Sequence, residues 1–284
     1  MTVCIKWLMK WGLAGLMAVL TSAVAATSDE TREIQGVTFK GSFQQGGMVI
    51  ATLPKGASAK LGKRILPVSP DGKVVFGFGR DQGKQTTFTM IKSNGQTVPI
   101  PLTVAAREYD IQKITGVPPR TVNPDPKHLA RIQKEAGQVA NAREINSKQN
   151  GFLQSFIWPV KGPITGVYGS QRVFNGEPRR PHFGVDIAAA KGTDIVAPAP
   201  GVVTMAHPNL FFSGATMVID HGYGISTSYL HMSKMTVAEG DTVKQGDVIG
   251  LVGATGRATG PHLCWRLNWY QERLDPQLLV PALD

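Results

Sequence analysis

From Phe156 to about Leu278, apolar and polar residues alternate between glycine turns, in runs such as DIVAPAPGVVTMAH, GATMVIDHGYGISTSYLHMS, MTVAEGDTVKQGDVIGLVGATG and PHLCWRLNWY. A period of two sends every second side chain to one face of a strand, and glycines close the turns between strands. No segment in this stretch shows helical periodicity. It predicts an antiparallel sheet that wraps on itself, as a small barrel or sandwich. Nearer the N-terminus, GVTFKGSF, GMVIATL, KVVFGFG, QTTFTMI and QTVPIPLTV are β-branched or aromatic runs, split by the turn signals SPDGK and KSNGQ. Strands spaced about ten residues apart predict a small β-sandwich of the immunoglobulin-like sort over residues 26–109. Nothing in it looks catalytic. GVPPRTVNPDP then breaks the chain with prolines, and PKHLARIQKEAGQVANAREINSKQN reads as a polar helix. Residues 110–152 are therefore a helical connector that could pack near the mouth of the domain over 153–284. The chain is mainly all-β.

The first residues are of another kind. Lys6 and Lys10 give a positive start, an apolar run follows from Trp11 to Val19, and the small residues Ala23, Val24 and Ala25 come next. That order predicts a secretory signal peptide over residues 1–25, removed after Ala25. The apolar run is shorter than the roughly 20 residues that a spanning helix needs. Removal takes two lysines and no acid from a chain whose formal charge is +10. A basic exported protein suits an anionic partner such as cell wall or outer-leaflet lipid, and no nucleic-acid partner is expected. The signal without a wall-anchoring motif leans towards a periplasm. Removal also leaves Cys264 as the sole cysteine, unable to form an internal disulfide and exposed to oxidation unless something uses or buries it.

Donors for a metal ion are few and lie late in the chain. His182, His221, His231 and His262 fall among its strand signals. In a straight strand His182 and Asp186 share a face but stand roughly 13 Å apart, so one ion can take both only if the chain bends. Gly184 is the residue that would permit a bend. The alternative is a strand histidine and a turn aspartate with no common task. In PHLCWRL, His262 and Cys264 point to one face about 6.6 Å apart, and Leu263, Trp265 and Leu267 point to the other, where they can fill a core. SYLHMS repeats the pattern, with Tyr229 and His231 on one face and Leu230 on the other. His128 reads as a surface residue, His207 as part of a loop, and His221 as turn or groove wall; Tyr168 and Arg172 are candidates to line a groove.

HFGVD, YLH and GPHLC, in this order and with GTDIVAPAPGVV and GDTVKQGDVIGLVGATG between them, resemble the lysostaphin-type (LytM-type) peptidoglycan metallopeptidases of peptidase family M23. The resemblance covers about residues 156–270. It implies a β-sheet groove, zinc as cofactor, and peptide cross-links of the bacterial wall as substrate. It assigns zinc binding to His182 and Asp186 of the H-x-G-x-D motif and to the second position of the H-x-H pair, which is Cys264. It gives His262 and His231 the task of polarising the water and steadying the oxyanion.

Cys264 is the departure, because the pattern calls for histidine there. A thiolate is a good zinc ligand. Two imidazoles and a carboxylate leave zinc a net charge of about +1, whereas an imidazole, a carboxylate and a thiolate neutralise it, so weaker hydrolysis is expected. Two other readings compete with an exported endopeptidase. One is a weak or inactive relative that binds wall and regulates a wall-hydrolase partner. The other is a biotinyl- or lipoyl-type carrier, suggested by EGDTVKQGDVIG, but that motif wants methionine before the lysine and residue 233 is serine. No G-x-S-x-G elbow accompanies Ser226 or Ser228 to suggest a serine hydrolase.

Overall fold

The computed structural model describes residues 30–115 and 125–283. The expected signal peptide over 1–25 lies outside them. Among the described residues no helix is long and apolar enough to cross a membrane.

Two four-stranded antiparallel sheets form the N-terminal unit. One orders Glu30–Ile34, Val37–Gly41, Met48–Thr52 and Lys73–Gly77; the other orders Arg64–Leu66, Ser58–Leu61, Gln85–Ile91 and Thr97–Thr103. Pro99 and Pro101 lie in Thr97–Thr103, an edge strand, where a missing N–H costs no ladder bond. Phenylalanines fill the space between the sheets: Phe39 meets Phe88 edge-on at 5.0 Å, and Phe76 lies 5.6 Å from Phe88. The five sequence runs all appear as strands. Glu30–Ile34, Ser58–Leu61 and Arg64–Leu66 are additional; none of them is an apolar run, since each pairs along the border of a sheet or around a turn.

Past this unit, Ile111–Ile114 runs parallel to Gln171–Phe174 and ties the connector to the second unit. The connector helix is Leu129–Glu144, entered through a 3-10 turn at Pro126–His128 that Asp125 caps by accepting from the Lys127 amide. Val139 and Ala142 pack on Met205, Leu210 and Val218. Arg131 donates to the Asn209 carbonyl, and Glu135 accepts from the Phe211 amide at 2.7 Å.

The second unit is built on an eight-stranded sheet. Its path is Ile164–Gly166, Val185–Ala188, His262–Trp269, Ile225–Met232, Gly214–Gly222, Gly201–Leu210 and Thr242–Val243, with Glu272–Leu274 paired to His262–Trp269. Directly opposite residues share a face. Met217, Tyr229, Trp265 and Val185 therefore line one side, which is the main core. Asp186, Cys264, Ser228 and Val218 line the other. The helix covers that second side at the Gly201–Leu210 and Gly214–Gly222 edge, and the candidate metal donors lie towards the opposite edge.

Candidate metal centre

Asp186 and Cys264 are direct cross-strand neighbours, and His262 stands opposite Ala188 on the same face. His182 comes from outside this ladder. It precedes the Val185–Ala188 strand and is pinned to the turn at 169–170, its amide donating to the Ser170 carbonyl and its carbonyl accepting from the Gly169 amide. This detour removes the separation that a straight strand would impose: His182 Nε2 lies 3.1 Å from Asp186 Oδ1. Gly184 serves by close approach. A Cβ there would lie 2.6 Å from the Trp265 carbonyl oxygen, so only glycine lets this segment reach the neighbouring strand. Gly166 makes room in the same way for the Asp186 carboxylate, whose Oδ2 would be 2.5 Å from a Cβ.

Donor atoms of His182, Asp186 and Cys264 all lie within 4.8 Å of one another. Each histidine near them is oriented by its far nitrogen. Nδ1 of His182 contacts the Val167 carbonyl at 3.1 Å, that of His231 the Thr255 carbonyl at 2.8 Å, and that of His262 the Gly260 carbonyl at 2.9 Å. A carbonyl oxygen only accepts, so Nδ1 carries the proton in all three and, in the neutral ring, Nε2 presents a lone pair. For His182 that lone pair faces a carboxylate at 3.1 Å and a sulfur at 3.4 Å. Asp186 Oδ1 is buried and, despite its closeness to His182, is out of line for a hydrogen bond. Three electron-rich atoms converging in a buried place call for a cation between them. Imidazole, carboxylate and thiolate are all zinc ligands, so the residues present fit that ion. When no ion is held, a proton must take its place. Burial pulls the His182 pKa down, but Asp186 and Cys264 outweigh burial and raise it to about 10.

His231 and His262 stand beside the donors with ring centroids 4.8 Å apart, and His262 Nε2 is 3.9 Å from Asp186 Oδ1. Strand alternation does not place His231 here. Leu230 lies opposite Cys264, and Tyr229 lies opposite Trp265 in the core, so the expectation that Tyr229 and His231 share a face is corrected. His231 has φ of 66°, a left-handed conformation rare outside glycine, and this twist brings its ring to the side of the donors. Burial, the largest effect, lowers its pKa, and the neighbouring His262 adds to the lowering.

Other expectations fare differently. His221 is fully buried, neither turn nor groove wall: Nδ1 meets the Pro200 carbonyl at 2.8 Å and Nε2 meets Thr227 Oγ1 at 2.8 Å. Thr227 in turn lies 2.7 Å from the Tyr229 hydroxyl. Tyr168 lines no groove; it is buried, with its hydroxyl donating to the Arg273 carbonyl at 2.7 Å. Arg172 is exposed in a strand paired to Ile111–Ile114. His128 stacks on Phe211, and His207 lies in the Gly201–Leu210 strand instead of a loop. Arg266 was missed. Its Nε donates to Cys264 Sγ at 3.4 Å, and its place two residues after Cys264 on the same strand face was the available signal.

This fold and donor set define a metallopeptidase-type domain. The model of peptidase family M23 matches residues 180–276, so the chain carries a peptidase M23 domain over those residues. An uncharacterised metalloprotease of Haemophilus influenzae is 31% identical over 182 residues, which is 61% of this chain and 37% of that protein. The peptidoglycan DD-endopeptidase ShyA of Vibrio cholerae is 43% identical over 104 residues, 33% of this chain and 24% of its own length. The chain thus spans well under half of either relative. A crystal structure assigned to peptidase M23 from Pseudomonas aeruginosa superposes with a TM-score of 0.67 at 27% identity, covering 84% of this chain and 95% of the other. That likeness covers more of the chain than the family-matched residues alone.

Proposed function

We propose that this protein is an exported zinc metalloendopeptidase that hydrolyses peptide cross-links of bacterial peptidoglycan, acting in the periplasm. The observation that carries the reading is the convergence of His182, Asp186 and Cys264 next to the paired rings of His231 and His262. The first three would hold the ion. Zinc bound there supplies a Lewis acid that polarises a carbonyl and acidifies water. His231, kept neutral by burial, offers Nε2 as the acceptor of a proton from the attacking water, and the same nitrogen can then donate to the departing amine. His262, whose Nδ1–H is held by the Gly260 carbonyl, can donate to the carbonyl oxygen as negative charge develops there when Nε2 takes up a second proton. Relatives named as peptidoglycan DD-endopeptidases support the choice of substrate.

Cys264 favours a second reading, a weak or inactive relative that binds wall and regulates another wall hydrolase. Thiolate in place of imidazole adds one negative charge to the donors. Arg266, donating to that sulfur, sets a positive charge against it, so the loss of Lewis acidity is smaller than the donor set alone implies. Incubation with purified sacculi, followed by chromatography, separates the readings. The wild type is expected to release muropeptides slowly, a chelator to stop release, and Cys264→His to cleave at least as fast. Zinc-loaded protein that releases nothing in either form would leave the regulatory reading in place.

A further inference from the structure

Between the N-terminal unit and the site sheet lies a cavity of about 700 Å³. Four arginines line it: Arg80, which pairs with Asp81, Arg143 from the end of the helix, Arg180 from the segment leading to His182, and Arg273 from Glu272–Leu274. Arg143 is 6% exposed; one terminal nitrogen donates to the Gln271 side-chain oxygen, and Nε finds no acceptor among the described residues. Arg273 donates to the Asn268 side-chain oxygen. Both acceptors are neutral amides. Arg180 is exposed at the rim, 5.5 Å above the Phe183 ring.

Two acids, Asp81 and Glu272, share the lining, and Glu144 follows Arg143 in the chain. Asp81 is held by Arg80 at 2.7 Å. Glu144 accepts from Gln271 at 2.8 Å. Glu272 is exposed and lies against Gly79, where a Cβ would sit 2.4 Å from its carboxylate oxygen. Among the described residues no ion pair of 4 Å or less reaches Arg143, Arg180 or Arg273. Burial and repulsion from Arg180 and Arg266 bring the pKa of Arg143 down to about 10, and burial with repulsion from Arg143, Arg266 and Arg180 holds that of Arg273 well below the usual arginine range.

We propose that this cavity binds an oxyanion carrying at least two negative charges, held by Arg143, Arg180 and Arg273. Guanidinium groups present planar forks that match carboxylate and phosphate oxygens. Three of them lining one cavity, with no ion pair to an acid among the described residues, are unfavourable until an anion enters. Free carboxylates of a wall peptide and the phosphates of a polyol-phosphate polymer share this chemistry. Only the source of the anion rests on the wall-hydrolase reading; the site itself does not.

Isothermal titration of the zinc-loaded full chain with inorganic phosphate, at constant ionic strength set with chloride, tests the site. Wild type and the remote surface variant Lys92→Gln should bind phosphate equally. Arg180→Gln and Arg143→Gln should each bind at least tenfold more weakly, while melting no lower than wild type in chloride alone. Arg180 is exposed, so its variant keeps the test informative if Arg143→Gln fails to fold. Phosphate held by the metal would survive both substitutions. No binding by wild type, or equal binding by Arg180→Gln and Lys92→Gln, would overturn the proposal. Competition by a stem-peptide fragment with two free carboxylates would assign the anion to peptide, and competition by a glycerol-phosphate oligomer would assign it to a phosphate polymer; either upholds the site. Sacculus digestion by the same samples keeps the two ideas apart. Cleavage without phosphate binding refutes the anion site alone, and phosphate binding without cleavage refutes the hydrolase reading alone.

Discussion

The strands of the N-terminal sandwich and those at the centre of the site sheet are similar in sequence and opposite in burial. Val37–Gly41 alternates buried and exposed residues, and Thr97–Thr103 does much the same. Every residue of Gly214–Gly222 and of Ile225–Met232 is buried. In the sandwich a polar side chain can point to water. In the site sheet the helix and loops cover the second face, so each polar side chain needs a partner of its own. Asn268 shows how this is met: its amide donates to the Ser226 carbonyl and to both the Ser226 and Ser228 hydroxyls, and its oxygen accepts from Arg273. Burial on both faces gives the partly buried metal donors a packed floor, and it makes the same sheet intolerant of lost partners.

The largest break in that contrast should come at the metal. Asp186→Ala removes an anionic donor from the buried side and should weaken zinc binding more than the roughly 10–100-fold that loss of an outer partner costs. His262→Ala should keep the zinc and lose cleavage by about 10²–10⁴-fold. Metal analysis beside sacculus digestion reads both, and loss of metal in His262→Ala would mean that ligand and catalyst have been confused.

Acid sharpens the contrast next. Burial lowers the His221 pKa to about 4, whereas the free side chain titrates near 6.5. Because the folded-state value is the lower one, stability is fully present above about pH 6.5 and is lost as pH falls towards 4, by about 3 kcal/mol at most. His182 acts with the opposite sign in another window. In metal-free protein its raised pKa contributes stability that is complete below about 6.5 and lost as pH rises through about 10. Residues 30–115 contain no histidine. Denaturant unfolding of metal-free wild type and His221→Gln at pH 6.5 and 4 isolates the His221 contribution, and parallel pH profiles would contradict it.

A matched pair of threonines gives the smallest effects. Thr227→Val strands His221 Nε2 and the Tyr229 hydroxyl together in the core, and should cost about 1–3 kcal/mol. Thr87 is exposed on the outer face of its sandwich strand, so Thr87→Val should stay within about 0.5 kcal/mol. Equal losses in the two melting curves would erase the distinction between the sheets.

The sequence made the strands legible because alternation and glycine turns follow directly from pleat geometry. It also made His182, Asp186, His262 and Cys264 legible as neighbours, through short motifs in a fixed order. What it hid depends on tertiary surroundings. Alternation put Tyr229 and His231 on one face, and a single left-handed residue undid that. The buried role of His221 depends on Pro200 and Thr227, which no local spacing reveals. The reach of His182 to Asp186 depends on a turn at 169–170 that pairs with it from outside the strand.

The backbone at His231 has a consequence for the choice of an inactive enzyme. Two separate demands meet at this position: a ring beside the metal donors, and a φ of 66°. Alanine meets neither, and a left-handed alanine is strained by roughly 1–2 kcal/mol. Asparagine tolerates that conformation better than most residues, yet has no imidazole to exchange a proton. His231→Asn is therefore the substitution that silences the chemistry while asking least of the fold. It would give a substrate trap, able to hold an uncut cross-link in place long enough for the complex to be seen.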